Sequence, residues 1–304
     1  MKPLSSQLTN SRSGLCALAI APAKRLIRPL IRPFRTVRVL TRAPAEIIKC
    51  KLRGRSSIFF VQVGSNDGLS GDPLHNLIKS NPTWKGIFIE PVRYAFDRLR
   101  SNYNGDDRFV FENIAISDSS GEVDFFYVSE DAKAKLGQLP YWYDQLGSFD
   151  REHIVKHLEG RIEPFIVKER VKCETLSQVL NRNHVRTIDL LHIDVEGFDY
   201  NILSQVDFLR YLPDVILFEH KHLVPNDKDN AGRLLKSYGY RVGEFGGDTL
   251  AWRPKWICRL VSLRTSVAKR LGGGVDSDVS FSSGVCFQFR MRSTCKEGHA
   301  VSDR

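Results

Sequence analysis

The sequence predicts an α/β fold in which a doubly wound, mostly parallel sheet carries helices on both faces. From Ser57 onward, apolar runs of strand length alternate with amphipathic stretches of helix length, which is typical of successive βαβ units. The first apolar run is followed by a loop with glycines at both ends, Gly64 and Gly68, as expected where a strand turns toward a helix. A chain of 304 residues with 42% hydrophobic content is long enough for one large domain with extensions.

Each strand is predicted from an apolar run bounded by turn residues. The predicted strands are Ile58–Val63, Gly86–Glu90, Phe109–Ile116, Glu122–Val128, Ile188–Asp194 and Val215–His220, followed by the closing antiparallel pair Tyr240–Gly246 and Thr249–Trp252. Helices are expected between them. Asp72 and Pro73 supply an N-cap and a first helical residue, and Gly239 ends the last helix. The predicted helices are 72–79, 94–103, 175–181, 199–208 and 230–238.

Residues 130–170 break this rhythm, because they carry the aromatic cluster Tyr141-Trp142-Tyr143 but no clear strand. We interpret them as an insertion within a domain that spans residues 56–252. A basic N-terminal extension, residues 1–55, precedes this domain, and a basic, Gly/Ser-containing C-terminal extension, residues 253–304, follows it.

The positive charge of the chain lies outside the predicted domain. Residues 1–55 hold thirteen Lys or Arg and one acid, Glu46, whereas the whole chain has a net charge of +10. This distribution argues against nucleic acid as a partner. The basic segment 24–55 is either a disordered tail or a peripheral contact with an anionic membrane. The short apolar stretch that ends in Ala19-Ile20-Ala21 resembles the end of a cleavable targeting segment, so cleavage near the N-terminus remains an alternative.

Two further features predict a cytoplasmic protein, either free in the cytoplasm or in peripheral contact with a membrane. No apolar run approaches the roughly 20 residues that span a bilayer. The six cysteines show no C-x-x-C spacing, so reduced thiols fit better than a disulfide framework.

The loop after the first strand predicts a nucleoside site. Its glycines let backbone N–H groups approach a ligand closely, and Glu90 stands 22 residues after Gly68, close to the interval at which an acid binds a ribose in dinucleotide folds. A tight strand-to-helix turn would explain the loop alone. The loop lacks the full G-x-G-x-x-G pattern and a following phosphate-binding lysine, which favours a nucleoside without a pyrophosphate.

Acidic and imidazole side chains end two later strands. His192, Asp194 and Glu196 alternate at the end of one, and Glu219 and His220 end the next. Because neighbouring strands lie about 4.8 Å apart, we expect Asp194, Glu219 and His220 to converge. His220, oriented by a carboxylate, is then expected to act as a general base that takes the proton from a substrate hydroxyl.

Other readings of these residues remain open. His220 could bond a backbone carbonyl instead, Asp194 could cap a helix, and the set could hold a divalent metal, which the pattern does not favour. His153 and His157 are expected to be exposed helix residues.

Several segments together resemble the FkbM family of methyltransferases: FVQVGSNDG, FIEPVRYAFDRL, ENIAISDSSGEVDFF, the ETL before a helix, IDLLHIDVEGFDYNIL and PDVILFEH. They cover about residues 57–252, and IDVEG with the preceding NIAIS is the most specific part. The resemblance implies a class I, Rossmann-like methyltransferase domain with a seven-strand sheet and an antiparallel final strand. It also implies S-adenosylmethionine as cofactor and a hydroxyl of a sugar, glycan, glycolipid or natural product as acceptor.

The resemblance also implies roles for individual residues. The methionine part of the cofactor is expected at Gly64, Ser65, Asn66 and Gly68, the ribose at Glu90, the adenine at Asn113, Ala115 and Ile116, and the sulfonium beside Asp194. Gln62 stands where class I enzymes usually place an acid that faces the cofactor's amino group. Two alternatives remain, an NAD(P)-dependent sugar oxidoreductase and a non-catalytic Rossmann-like binding domain. The sequence does not indicate the acceptor or the oligomeric state.

Overall fold

The computed structural model describes residues 44–254 of the chain. The predictions made for residues 1–43, including the part of the proposed membrane contact that they contain, lie outside the described residues. The same holds for residues 255–304 of the C-terminal extension. No helix within residues 44–254 is long and apolar enough to cross a membrane.

Strands and helices alternate along most of the described chain. The strands are β1 (Ile58–Val63), β2 (Trp84–Ile89), β3 (Phe109–Glu112), β4 (Ala115–Ile116), β5 (Gly121–Val128), β6 (Gly147–Ser148), β7 (Ile166–Glu174), β8 (Leu190–Ile193), β9 (Val215–Glu219), β10 (Arg241–Phe245) and β11 (Asp248–Trp252). The α-helices are α1 (Pro44–Leu52), α2 (His75–Ser80), α3 (Arg93–Asn102), α4 (Ala132–Leu136), α5 (Arg151–Val155), α6 (Leu176–Arg182), α7 (Asp199–Ser204) and α8 (Pro225–Ser237). Short 3₁₀ helices cover Tyr143–Gln145, His157–Gly160 and Glu163–Phe165.

The main sheet has seven strands in the order β10-β11-β9-β8-β1-β2-β3. Neighbouring strands from β9 to β3 run parallel, and β11 runs antiparallel to both β9 and β10. The predicted fold class and the antiparallel final strand are therefore confirmed. The strand order reverses between β1 and β8, where an open α/β sheet forms its ligand crevice.

Each face of the main sheet is covered by a separate apolar cluster, which explains why its central strands are apolar along their length. One cluster joins the sheet to α6, α7 and α8, and includes Val179, Leu203 and Leu235. The other joins the sheet to α1, α2 and α3, and includes Ile48, Ile78 and Leu99. Side chains alternate between the two clusters along a strand: Val61 contributes to the first and Phe60 to the second.

Helix α1 belongs to the folded domain, although its residues were assigned to the N-terminal extension. Ile48 and Leu52 are buried in the cluster on the α1 face of the sheet. Arg55 forms ion pairs with Asp189 and Asp214, which precede β8 and β9. The folded unit therefore begins before residue 56, and these apolar side chains of segment 24–55 are not available to a bilayer.

The third predicted strand is divided between two sheets. Phe109–Glu112 pairs with β2 in the main sheet, whereas Ala115–Ile116 pairs with β7. At the break, the Asn113 amide donates to the carbonyl oxygens of Glu90, at 2.8 Å, and Pro91, at 3.0 Å. The chain thereby leaves the main sheet and enters a second one, of order β4-β7-β5-β6.

The expectation that residues 130–170 contain no strand is wrong. β6 lies within them and β7 begins there, at Ile166. β7 pairs antiparallel with all eight residues of β5, from Gly121 opposite Cys173 to Val128 opposite Ile166. The middle of β7 consists of three exposed charged residues, Lys168, Glu169 and Arg170. Lys168 pairs with Asp124 across the two strands at 2.7 Å.

Candidate active site

A cavity of about 930 Å³, counting its open mouth, lies beyond the carboxyl ends of β1, β2 and β8. This is the point at which the strand order reverses. Its walls come from the loop after β1, the loop after β2, the segment around β4, the insertion and the loop after β8. The residues used below that line it are Gln62, Gly64, Ser65, Asn66, Asp72, Glu90, Ile114, Ala115, Ile116, Asp144, Gln145, Gly147, Phe149, His192, Asp194 and Glu196.

Hydrogen bonds to β2 hold the loop after β1 in place. The N–H groups of Gly64 and Ser65 both donate to the Ile89 carbonyl, each at 3.0 Å. The Ser65 hydroxyl donates to the Gln62 carbonyl at 3.0 Å and accepts from the Ile89 N–H at 3.1 Å. Gly64 has a φ of +76°, a conformation that glycine adopts without strain. The loop is therefore fixed before any ligand arrives.

Glu90 is buried at the end of β2 and faces the cavity. One carboxylate oxygen accepts from the Asn66 N–H and the other from the Val92 N–H, each at 2.8 Å. Burial raises the pKa of Glu90 to about 7, against the lowering effect of these two bonds. Because a carboxylate oxygen accepts more than one bond, both oxygens keep a lone pair for ligand hydroxyls.

Three buried polar atoms on the cavity wall have no partner within the described residues: Gln62 Oε1, Asp72 Oδ2 and His192 Nδ1. Asp72 was predicted to cap α2, but α2 begins at His75, and Asp72 Oδ1 accepts instead from the Leu74 N–H at 2.8 Å. Burial raises the pKa of Asp72 to about 6 and lowers that of His192 to about 4. Asp72 thus supplies a carboxyl group beside Gln62, where an acid was expected to be missing.

Three carboxyl groups converge where β8 and β9 end. One oxygen each from Asp194, Glu196 and Glu219 lies within 4.8 Å of the others. Because Ile193 of β8 pairs with Phe218 of β9, the residues that follow them, Asp194 and Glu219, are neighbours. Asp194 is open to the cavity although the protein surrounds it closely. Burial and the negative charge of neighbouring carboxylates raise the pKa values of Asp194 and Glu219.

His220 does not face the cavity, which corrects the expectation that it contacts the acceptor. Its Nδ1 lies 2.9 Å from Thr249 Oγ1, and its Nε2 lies 3.8 Å from Glu244 Oε2. Consecutive residues of a strand point to opposite sides, so Glu219 turns toward Asp194 and His220 turns toward β10 and β11. Burial, with the charge of Lys228, lowers the pKa of His220.

The structure brings most of the other predicted residues to the cavity. Gln62, Gly64, Ser65, Asn66, Glu90, Ala115, Ile116 and Asp194 all line it. Gly68 and Asn113 do not line it. Gly68 packs against α3, where a β-carbon would lie 2.5 Å from Leu99 Cδ1, and the Asn113 amide holds the chain break described above.

The insertion forms a cavity wall that the sequence analysis did not assign. Asp144, Gln145, Gly147 and Phe149 line the cavity. Asp144 pairs with Arg98 of α3 at 2.8 Å, and the Gln145 amide donates to the Ser70 carbonyl. The aromatic cluster before these residues marks the segment as unusual, but no local pattern indicates where it packs.

His153 and His157 are not exposed, which corrects the prediction for them. The His153 side chain is 14% exposed, and its Nε2 lies 3.0 Å from Glu196 Oε2. Their rings also pack against His222, with centroid distances of 4.7 Å from His153 and 5.4 Å from His157. The i, i+4 spacing of the two histidines was the only local signal of this cluster.

The sheet order, the single antiparallel strand and the cavity at the strand reversal define the class I methyltransferase fold. The model of the methyltransferase FkbM domain matches residues 62–242. The chain therefore belongs to the FkbM methyltransferase family.

One curated relative is the 2-O-methyltransferase NoeI of Sinorhizobium fredii (strain NBRC 101917 / NGR234). It is 25% identical to this chain over 144 residues, which are 47% of this chain and 55% of that protein. The match thus spans about half the length of the relative.

The chain also aligns with solved structures of methyltransferases. The precorrin-6y C5,15-methyltransferase from Geobacter metallireducens GS-15 has 12% identity and a TM-score of 0.35, with 69% of this chain and 86% of that chain covered. The METTL16 methyltransferase domain has 9% identity and a TM-score of 0.37, with 69% of this chain and 65% of that chain covered. Alignments at this score carry no information on activity.

Proposed function

We propose that the chain is an S-adenosylmethionine-dependent O-methyltransferase that acts on a hydroxyl of a sugar, glycan, glycolipid or natural product. The observation that carries this proposal is the number of carboxyl groups in the cavity wall. Five carboxyl side chains line it, those of Asp72, Glu90, Asp144, Asp194 and Glu196, and no Lys or Arg among residues 44–254 does. Such a wall favours a ligand with positive charge, such as a sulfonium with an ammonium group, over a pyrophosphate.

The polar atoms without partners support the same cofactor. Gln62 Oε1 and Asp72 Oδ2 are two buried acceptors on one stretch of wall, and a protonated amino group donates to such a pair. We place the methionine part of the cofactor there and along the loop of Gly64, Ser65 and Asn66.

The remaining parts of the cofactor follow from this placement. Glu90 receives the ribose hydroxyls on its free lone pairs, and the apolar stretch of Ala115 and Ile116 covers the adenine. When bound, S-adenosylmethionine supplies an electrophilic methyl group on its sulfonium.

Asp194 is the group that receives the acceptor's proton in this proposal. It lies at the carboxyl end of β8, open to the cavity, with Glu219 and Glu196 beside it. A carboxylate among other carboxylates is a stronger base than an isolated one. The acceptor hydroxyl would lie between Asp194 and the wall formed by Gln145 and Phe149 of the insertion. The relative NoeI is named a 2-O-methyltransferase, which supports oxygen as the methylated atom.

Calorimetry with S-adenosylhomocysteine, NADH and a UDP-sugar tests the cofactor. We expect the full chain to bind S-adenosylhomocysteine and neither of the other two. Asp72→Asn keeps the atom that accepts from Leu74 but removes the carboxylate charge, and we expect it to weaken binding about tenfold or more, since a charge-assisted bond contributes about 1.5 to 3 kcal/mol. Asp97→Asn, an exposed carboxylate on α3, is the matched control. Binding of NADH but not S-adenosylhomocysteine would replace the proposal with an oxidoreductase.

Transfer of a labelled methyl group to a panel of sugars, glycans and glycolipids tests the acceptor class. We expect the label in an ether that survives mild base, and label in an alkali-labile ester or in an amine would contradict an O-methylated hydroxyl.

A further inference from the structure

Three imidazoles and one carboxylate from separate segments meet beside the cavity. His153 lies on α5 and His157 begins the following 3₁₀ helix, whereas Glu196 follows β8 and His222 follows β9. Each side chain offers one nitrogen or oxygen atom, and these four atoms lie within 4.8 Å of one another. All four residues are half-buried. Imidazole nitrogens and a carboxylate oxygen at this spacing form a donor set that first-row transition metals accept.

The distances within the cluster show that Glu196 is its centre. Glu196 Oε2 lies 3.0 Å from His153 Nε2 and 3.5 Å from His222 Nε2. The ring centroids of His153 and His157 are 5.0 Å apart. Ligand atoms about 2.0–2.1 Å from a tetrahedral Zn²⁺ lie a little over 3 Å from one another, and the two distances from Glu196 Oε2 are close to that spacing.

A hydrogen bond prepares His157 for this role. Its Nδ1 lies 2.9 Å from the carbonyl oxygen of His153, and a carbonyl only accepts, so Nδ1 must carry the proton. The neutral ring then has a free lone pair on Nε2. A bond from the second ring nitrogen to a backbone carbonyl is the usual way in which proteins fix the tautomer of a metal-binding histidine.

The backbone is strained on both sides of the cluster. Glu196 has a φ of +53°, and Leu158 and Glu159, directly after His157, have φ values of +51° and +55°. Left-handed conformations are unfavourable at residues other than glycine, and they persist where the surroundings require them. At the same place the two loops meet closely, because a β-carbon on Gly197 would lie 3.2 Å from the carbonyl oxygen of His222.

We propose that the three imidazoles and Glu196 form a binding site for one divalent transition-metal ion of the Zn²⁺ type. Four protein ligands close a tetrahedral shell, which is the arrangement of structural rather than catalytic zinc sites. The metal joins the insertion, through α5 and the following 3₁₀ helix, to the loops after β8 and β9. Since Glu196 also lines the cavity, the metal fixes one part of the cavity wall. Metal binding at this site does not require the proposed methyl transfer, although the two share Glu196.

Metal binding by the full chain, stripped with chelator, tests the proposal. We expect calorimetry to show one Zn²⁺ per chain and no response to Mg²⁺, which prefers oxygen ligands. Co²⁺ in place of Zn²⁺ should give the intense visible absorption of a four-coordinate ion. Zn²⁺ should also raise the melting temperature and slow hydrogen exchange in residues 151–160, readouts that need no acceptor or cofactor.

The ligands are tested one at a time. His222→Gln and His157→Gln should each weaken Zn²⁺ binding by about 100-fold or more, since changes even in outer-shell partners cost about 10- to 100-fold. His184→Asn changes an exposed histidine outside the cluster, keeps a residue that tolerates its φ of +52°, and should bind Zn²⁺ as the unchanged chain does.

Two results would overturn the site. One is a chain that binds no Zn²⁺, or binds it only with the weak spectrum of six-coordinate Co²⁺. The other is equal binding by His222→Gln, His157→Gln and His184→Asn. If a glutamine variant fails to fold, the Co²⁺ spectrum of the unchanged chain decides alone.

Discussion

The α-carbon of Gly64 faces the backbone of Asp194 so closely that a β-carbon would lie 1.7 Å from the Asp194 carbonyl oxygen. The Asp194 N–H in turn donates to the Val63 carbonyl at 2.9 Å. The loop that is proposed to hold the cofactor and the residue proposed to act on the acceptor are therefore in direct backbone contact. A change that separates them affects both halves of the proposed reaction.

Gly64→Ala should lower the free energy of unfolding and weaken S-adenosylhomocysteine binding together. The positive φ costs about 1–2 kcal/mol, and the overlap with Asp194 adds about 1–3 kcal/mol or more. Gly246→Ala is the matched control, because Gly246 has a φ of +61° but would meet nothing within 4 Å. Denaturant unfolding and calorimetry measure the two effects. Equal losses in the two variants would show that the close approach to Asp194 does not matter.

Asp194→Asn should reduce methyl transfer by about 10² to 10⁴, the range of a lost general base, with little change in S-adenosylhomocysteine affinity. His220→Ala should retain turnover within a few-fold, because its ring contacts Thr249 outside the cavity. Single-turnover kinetics with a labelled methyl donor separates the chemical step from binding. The assignment of Asp194 fails if the two variants show the opposite order.

Cofactor affinity should fall as the pH is lowered below 7. Burial raises the pKa of Glu90 to about 7, so its carboxylate becomes protonated below that pH and accepts ribose hydroxyls less well. Affinity should fall about fivefold between pH 7 and pH 6 and change little above pH 8. Calorimetry with S-adenosylhomocysteine over pH 6–8 measures it. Glu90→Gln should remove the part of the fall centred near pH 7 and keep the part near pH 6 that comes from Asp72, while Asp97→Asn preserves both. An unchanged chain without the fall near pH 7 would remove Glu90 from the ribose site.

Deletion of residues 1–43 should leave the melting temperature of the domain nearly unchanged, whereas deletion of residues 1–55 should lower it substantially. The longer deletion removes Ile48 and Leu52, which are 0% and 4% exposed. Burial of two such side chains contributes about 3–6 kcal/mol, or roughly 10 °C in a domain of this size. Differential scanning calorimetry compares the two. Similar melting temperatures would mean that α1 packs without stabilising the sheet.

The sequence was sufficient to predict the main sheet, because its central strands are buried on both faces and therefore apolar along their length. β1 has the predicted bounds, Ile58–Val63. β7 was missed because its middle is exposed and charged, so that apolar residues do not recur at regular spacing along it. Pairing with β5 holds it in the second sheet. The split of the third strand was also hidden, because β3 and β4 are both extended and only the Asn113 bonds separate them.

The candidate site was predictable where it follows strand ends and hidden where it depends on distant packing. Asp194 and Glu219 were expected to meet, and the register of β8 and β9 brings them together. His220 was misplaced because one step along a strand reverses the side of the sheet. Asp72 and the cluster around Glu196 join segments far apart in the chain, and no local pattern specifies such contacts.

The second sheet and the insertion form a wall of the cavity that the main sheet does not supply. Tyr143, Leu146 and Ile154 pack in an apolar cluster of their own with Val128, apart from the two clusters that cover the main sheet. The Phe149 ring packs against Phe125 of β5 and Phe198 before α7, and the Asn66 amide donates to the Asp144 carbonyl. Under the proposed function, a change in this one stretch of sequence would therefore alter the space for the acceptor and also reach the loop that holds the cofactor.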